Sequence, residues 1–246
     1  MTLFVVEHHV HDKAGWRKFV DGVIDNAKGK THEDIANDMS WGGNKCPMSI
    51  HSVEGDLTVC FWELPEGATD EDCHKVVDAF VESSGPAVKN VVHKVDASFG
   101  IQNLTFETYC KDMVKCATEG STLGHAAHGD LFYVHHDIPN KAEFDNFFAE
   151  KVAPLKGKST SQDVSDAWDV GMAQSAMYCG LGDKDAVCLW LLPKGTTVDE
   201  FKKMIDKFTG STANNKPYKL DEILSTTRCI HPDFYAQEAI AYADSV

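Results

Sequence analysis

An apolar, β-branched run over residues 3–10 opens the chain and predicts a strand. Trp16, Phe19, Val20 and Val23 then recur at helical spacing behind Asp12, a natural N-cap. Lys28-Gly29-Lys30 ends that helix with a glycine and with bases near its negative pole. A second short helical piece fits residues 32–39. Residues 48–53 and 57–64 read as two strands joined by the turn Glu54-Gly55-Asp56. Thr69 can cap a helix carrying Val76, Val77 and Phe80, and residues 90–95 make a last strand. The order is β-α-β-β-α-β, the split βαβ or ferredoxin-like unit. Two helices cover one face of its sheet, and the other face is left apolar.

The whole pattern then returns at an offset of 128. Leu3-Phe4-Val5-Val6-Glu7-His8 is matched by Leu131-Phe132-Tyr133-Val134-His135-His136. Val59-Cys60-Phe61-Trp62-Glu63-Leu64-Pro65 is matched by Val187-Cys188-Leu189-Trp190-Leu191-Leu192-Pro193. Phe19 answers Phe147, Asp78 answers Asp206 and Phe80 answers Phe208, with no gap over most of the length. Self-similarity on this scale decides the fold before any other signal. The expected fold class is α+β: two tandem ferredoxin-like (β-α-β-β-α-β) repeats, over residues 1–100 and 130–227. Their apolar sheet faces are expected to pack together. Phe106, Tyr109, Cys110, Met113 and Ala117 put an amphipathic helix in the 101–129 connection, and a further helix is expected in 228–246.

Composition narrows the partners. Thirty-eight acidic against 23 basic residues give a formal charge of −15, which repels phosphate backbones and disfavours nucleic acid. No apolar run approaches the ~18 residues of a membrane span. The start lacks the features of a secretory leader, so an intracellular, cytoplasmic location is expected. The eight cysteines have no disulfide-framework or zinc-knuckle spacing and read as reduced, mostly buried thiols.

Histidine is the first candidate for chemistry. Alternation along a strand puts Glu7, His9 and His11 on one face, and His135 with Asp137 on the matching face. Imidazole and carboxylate two residues apart can share a first-row ion, so two weak divalent metal sites (Ni, Cu or Zn) are expected, the tighter in repeat one. The bland alternative is polar residues at a strand end. His8 and His136 point the other way, among apolar neighbours, as core histidines or as walls of a ligand pocket. Cys60 and Trp62, with Cys188 and Trp190, share one strand face and are either packing residues or further pocket lining. No basic partner stands near Cys60 in the sequence, so a nucleophilic cysteine is not expected.

The repeated unit resembles the dimeric α+β barrel superfamily, here fused into an intrachain pseudo-dimeric barrel. That superfamily holds cofactorless monooxygenases, cyclases, isomerases, haem-degrading enzymes and stress-responsive barrels, so membership leaves function open. Cys60-Phe61-Trp62-Glu63-Leu64-Pro65, with the His-rich first strand, is similar to a small nickel-binding group within it. The second repeat departs from that pattern, with Leu191 in place of the glutamate. The leading expectation is a barrel that binds a small ligand or a metal ion, in a stress-related role and with homo-oligomers allowed. Its rivals are a cofactor-independent monooxygenase, cyclase or isomerase, and a self-assembling scaffold.

Overall fold

The structure, a computed structural model, describes residues 2–27, 43–84, 88–95, 130–152, 173–181, 184–192 and 195–220. The helices expected at 32–39, within 101–129 and within 228–246 lie outside the described residues. The described residues fall into two compact units, 2–95 and 130–220.

The first unit runs β1 (Thr2–Val10), α1 (Lys13–Ala27), β2 (Lys45–His51), β3 (Leu57–Leu64), α2 (Asp70–Ser84) and β4 (Val88–Lys94). The second runs β5 (Asp130–Asp137), α3 (Lys141–Phe147), β6 (Ala173–Leu181), β7 (Asp185–Leu192), α4 (Val198–Thr209) and β8 (Asn214–Lys219). A π-helical turn, Phe148–Val152, prolongs α3, and a 3-10 turn, Gly210–Thr212, follows α4. The sheets have the orders β2-β3-β1-β4 and β6-β7-β5-β8, with antiparallel pairing throughout. Each unit is therefore a ferredoxin-like α+β fold. No helix among the described residues is long and apolar enough to cross a membrane.

The caps follow the sequence closely. Asp12 accepts the Gly15 N–H at α1, and Asn140 accepts from Ala142 and Glu143 at α3. Thr69 and Asp72 cap α2 reciprocally, as Thr197 and Glu200 cap α4. After β3 and β7 the chain turns through Gly67 and Gly195, at φ 86° and 92°, which an L side chain rarely adopts. The first residue of each sheet's central strand holds that turn: Gly67 N–H donates to Thr2 Oγ1, and Gly195 N–H to Asp130 Oδ2.

Register decides which side chains meet the helices. Phe4 stands opposite Trp62, Val6 opposite Cys60 and His8 opposite Thr58. That face packs on Cys73, Val77 and Val81 of α2. In the second unit Phe132, Val134, Cys188 and Trp190 pack on Phe201 and Ile205 of α4. Edge-to-face aromatic contacts recur in both: Phe19–Phe80 at 5.8 Å and Phe147–Phe208 at 5.5 Å. The other sheet face carries Val5, Glu7, Val59 and Phe61 in one unit and Tyr133 and Val187 in the other, and these too are buried.

Trp62 and Trp190 thus lie beneath helices, each about 1% exposed. Truncation of either to Ala is expected to cost about 3–5 kcal/mol, read as a loss of denaturant midpoint. The Trp62 indole N–H is buried with no partner among the described residues. Trp62→Phe, which deletes that donor and keeps the ring contact with Phe80, should cost well under half as much.

Candidate functional site

The register that buries His8 also sets it beside Cys60. His8 Nδ1 lies 2.6 Å from Asn90 Oδ1 on β4, and Asn90 Nδ2 donates to Asp78 Oδ1 on α2 at 2.7 Å. The ring's other side hydrogen-bonds the Cys60 sulfur. The second unit repeats this line of groups. His136 Nε2 is 3.0 Å from Cys188 Sγ, its Nδ1 is 2.5 Å from Asn215 Oδ1, and Asn215 Nδ2 donates to Asp206 at 2.8 Å. Each unit therefore holds a Cys-His-Asn-Asp relay between its sheet and a helix, buried at the cysteine and histidine and reaching the surface at the carboxylate. A base does accompany Cys60, contrary to the expectation from sequence proximity. It sits 52 residues away along the chain and one strand over, next to Val6, which faces Cys60 directly.

The first unit extends the relay on the far side of the sulfur. Trp16 Nε1 donates to Thr58 Oγ1 at 2.6 Å, and Thr58 Oγ1 is 2.8 Å from His51 Nδ1. His51 Nε2 is 3.2 Å from Ser49 Oγ, which is 3.4 Å from Cys60 Sγ. Cys46 also hydrogen-bonds that sulfur. One consistent proton order fits the whole line. Trp16 donates to Thr58, whose hydroxyl donates to His51 Nδ1. His51 Nε2–H donates to Ser49; as a thiol Cys60 Sγ donates to Ser49 Oγ, and as a thiolate it would accept from Ser49, Cys46 and His8. Such a chain polarises each successive bond toward a negative terminus.

The electrostatics agree with that order. Hydrogen bonding from Cys46, with the nearby His8 ring and Ser49, holds the Cys60 thiol well below its usual range despite burial. Burial opposes charge on His8, but the Cys60 sulfur, Asn90 and Asp78 outweigh it and raise the ring. Burial, helped by the charges of His8 and Arg17, pushes His51 down to about 3, so it is neutral as the chain requires. Cys73, in the same core without such donors, is pushed up to about 12, chiefly by burial. In the second unit burial takes His136 down to about 4, against the Asn215 hydrogen bond. The charge of neighbouring His135 lowers it further, and the surroundings of the two imidazoles also differ in the sequence. The positions equivalent to Trp16, Ser49, His51 and Thr58 are Phe144, Met177, Cys179 and Ala186, which offer no such line of hydroxyls and imidazole. Ala186 and Phe144 belong to the second unit's apolar core.

A cavity of about 190 Å³ opens at the outer end of the first unit's relay. His51, Thr58 and Trp16 line it, with Lys13 and Arg17 beside them. None of the six residues expected as pocket lining (His8, His136, Cys60, Trp62, Cys188, Trp190) borders this cavity. They pack inside the helix-covered faces instead, because strand alternation turns all six toward the helices.

The expected metal ligands are placed unevenly. His9 Nε2 is 3.4 Å from Glu7 Oε2, but His11 is exposed beyond the end of β1 and does not join them. His93 of β4 brings a ring nitrogen within 4.8 Å of the Glu7 carboxylate, a neighbour that strand-end patterning did not reveal. In the second unit His135 Nε2 is 3.1 Å from Asp137 Oδ1 and 3.0 Å from Asp185 Oδ1. Asp185 faces Asp137 across β5 and β7, so the cross-strand register supplies a third donor that i and i+2 spacing missed. Lys216 Nζ holds the outer oxygen of Asp137 at 2.7 Å.

The chain belongs to a protein family described as "Domain of unknown function (DUF8652)", whose profile matches residues 3–104 and 131–228. No curated protein matches the chain. Among solved structures it is similar to a candidate chlorite dismutase, TA0507, at 9% identity and TM-score 0.41, covering 91% of this chain and 96% of that one. It is also similar to a chlorite dismutase variant from Candidatus Nitrospira defluvii (10%, TM-score 0.41, 98% and 95%). A candidate glycine cleavage system transcriptional repressor follows (9%, TM-score 0.25, 90% and 98%). At these scores the three bear on neither fold nor function, which rest on the strands and side chains described above.

His51 generates a pH dependence of stability. Its folded value, about 3, lies below the ordinary 6.5, so the unfolded chain binds the proton first as pH falls. The stability it contributes is complete above about 6.5 and is lost as pH drops toward 3, by up to about 1.4 kcal/mol per pH unit. Melting temperature measured from pH 7 to 4 should fall less steeply in His51→Gln than in wild type. Parallel profiles would show that His51 does not titrate with unfolding.

Proposed function

We propose that this protein carries out cysteine-dependent chemistry on a small molecule, with the Cys60 thiolate as the reactive group of the first unit. The observation that carries this is the line of donors converging on one buried sulfur from both sides. A thiolate is the nucleophilic form of cysteine, and it persists in a buried site only when donors and a cation replace water. His8 supplies the cation and a transferable proton. Asn90 and Asp78 orient the ring, much as a third group orients the base in any nucleophile–base pair. The cavity beside His51 and Thr58 gives a small polar ligand a place against the outer end of the same chain. This reading favours the enzyme alternative over a purely binding or scaffolding role. The matching caps, turns, aromatic pairs and relays further support descent of the two units from one duplicated ferredoxin-like ancestor. A pseudo-dimeric barrel remains the arrangement that such a duplication would favour.

A second reading concerns His135, Asp137 and Asp185, which together offer one nitrogen and two oxygens to a divalent ion. Borderline first-row ions such as Ni²⁺, Cu²⁺ or Zn²⁺ suit such a donor set. Calorimetric titration should show an affinity that falls below about pH 6.5, as the imidazole protonates. His135→Ala or Asp185→Asn should weaken binding at least about tenfold, while His11→Ala should not. Equal affinity in all variants would place any bound ion elsewhere.

The thiolate is tested directly by its ultraviolet absorbance. Subtracting the Cys60→Ser titration from wild type should leave one step below the ordinary thiol value of about 8.5. His8→Gln should move that step upward. A difference curve with no step below about 8.5 would sink the assignment of Cys60 as the reactive group.

A further inference from the structure

Cys60 has a second thiol within reach. Cys46 of β2 hydrogen-bonds the Cys60 sulfur, and the equivalent position opposite the second unit's tryptophan is Gln174. Both thiols lie in one core, with Cys46 at 0% and Cys60 at 5% exposure. So little of Cys60 is open that only a reagent with a very small reacting end can approach it. Resting on the thiolate reading above, we infer that Cys60 reduces hydroperoxides and that Cys46 resolves the oxidised sulfur as a Cys46–Cys60 disulfide.

The steps balance. The Cys60 sulfur attacks the terminal peroxide oxygen, an S–O bond forms and the O–O bond breaks. The leaving hydroxide or alkoxide takes the proton from the His8 imidazolium and departs as water or alcohol. Cys60 is now a sulfenic acid, two electrons more oxidised. The Cys46 thiol then attacks that sulfur, the S–O bond breaks, and hydroxide leaves as water with the Cys46 proton. Sulfurs already in hydrogen-bond contact must close to about 2.05 Å for this bond. An external dithiol restores the pair by exchange, becoming a disulfide itself and returning two protons, one to Cys46 and one to His8. Ser49 and His51 keep the sulfur charged between turnovers, and Asn90 with Asp78 holds the His8 ring toward the sulfur. The second unit has the imidazole and the sulfur but no resolving thiol at the matching place, so it is expected to take no part.

The test uses the full chain, fully reduced and then treated with hydrogen peroxide. Peptide mass spectrometry should find a Cys46–Cys60 disulfide in wild type and in Cys188→Ser. Cys46→Ser should instead halt at a Cys60 sulfenic acid that dimedone captures, a variant conservative enough to keep the core. His8→Gln should slow loss of the Cys60 thiol by about a hundredfold, the lower range for a lost acid–base group. Oxidation of Cys73 or Cys188 as fast as Cys60, or Cys60 oxidation in wild type without the Cys46 link, would overturn the inference. The thiolate absorbance step separates the two levels. If it is present but peroxide leaves Cys60 untouched, the peroxide cycle alone falls. If it is absent, the reading beneath it falls as well.

Discussion

The antiparallel register of β1 on β3 is the constraint on which the rest depends. It sets Val6 against Cys60 and His8 against Thr58, on the face that the helices cover. A slip of β1 by one residue would turn Phe4, Val6 and His8 away from α2 while Cys60 and Trp62 stayed on it. The same register therefore builds the hydrophobic core and brings an imidazole to a thiol. Stability and chemistry are not separable here, since the residues on either side of the reactive pair are core residues. The reach from β4 is fixed as well, because Asn90 stands directly opposite His8 on β1's other edge.

The second unit shows what the first would be without the polar extension. Its relay of Cys188, His136, Asn215 and Asp206 is complete, yet burial leaves His136 lowered to about 4, while His8 is raised. Two differences account for this. Asp206 is paired with Lys202, whereas the matching place on α2 is His74, so the acidic end of the second relay is already neutralised. At the positions equivalent to Ser49, His51, Thr58 and Cys46 the second unit's sequence has Met177, Cys179, Ala186 and Gln174. The same sheet order thus supports opposite shifts of the two imidazoles, because the groups around them differ.

Much of this was legible in the sequence, and the gaps have physical causes. The element order, the caps at Asp12 and Thr69, and the equivalence of the two halves follow from periodicity and the offset of 128. The strand ends moved by a few residues: β2 is Lys45–His51 rather than 48–53, and β4 is Val88–Lys94 rather than 90–95. The relay was half visible. His8 with His136, Cys60 with Cys188, and Asp78 with Asp206 all obey the offset. Asn90 and Asn215 do not: they are 125 apart, as are Lys94 and Lys219, which hold matching carbonyls at Ala68 and Thr196. The last strand had shifted by three residues, and a gapless comparison hid the residue that joins imidazole to carboxylate. Proximity of His8 to Cys60 needed strand pairing, and Asp185 beside His135 needed the same information in the other sheet.

A buried polar network is tolerable only when every member is satisfied, since one orphaned group costs about 1–3 kcal/mol. In the first unit the polar line runs from a tryptophan N–H to a sulfur without a break, and each hydroxyl and ring both accepts and donates. Replacing any inner member of the line leaves two neighbours without that partner, so its members stabilise one another. The second unit has taken the other stable solution, an apolar wall of Ala186 and Phe144. Both solutions fill the same space between sheet and helices, so packing alone does not favour the polar one. What the polar solution adds is a set of donors aimed at one buried sulfur, which holds its thiol well below the usual range, and that is the property on which the proposed chemistry of the first unit turns.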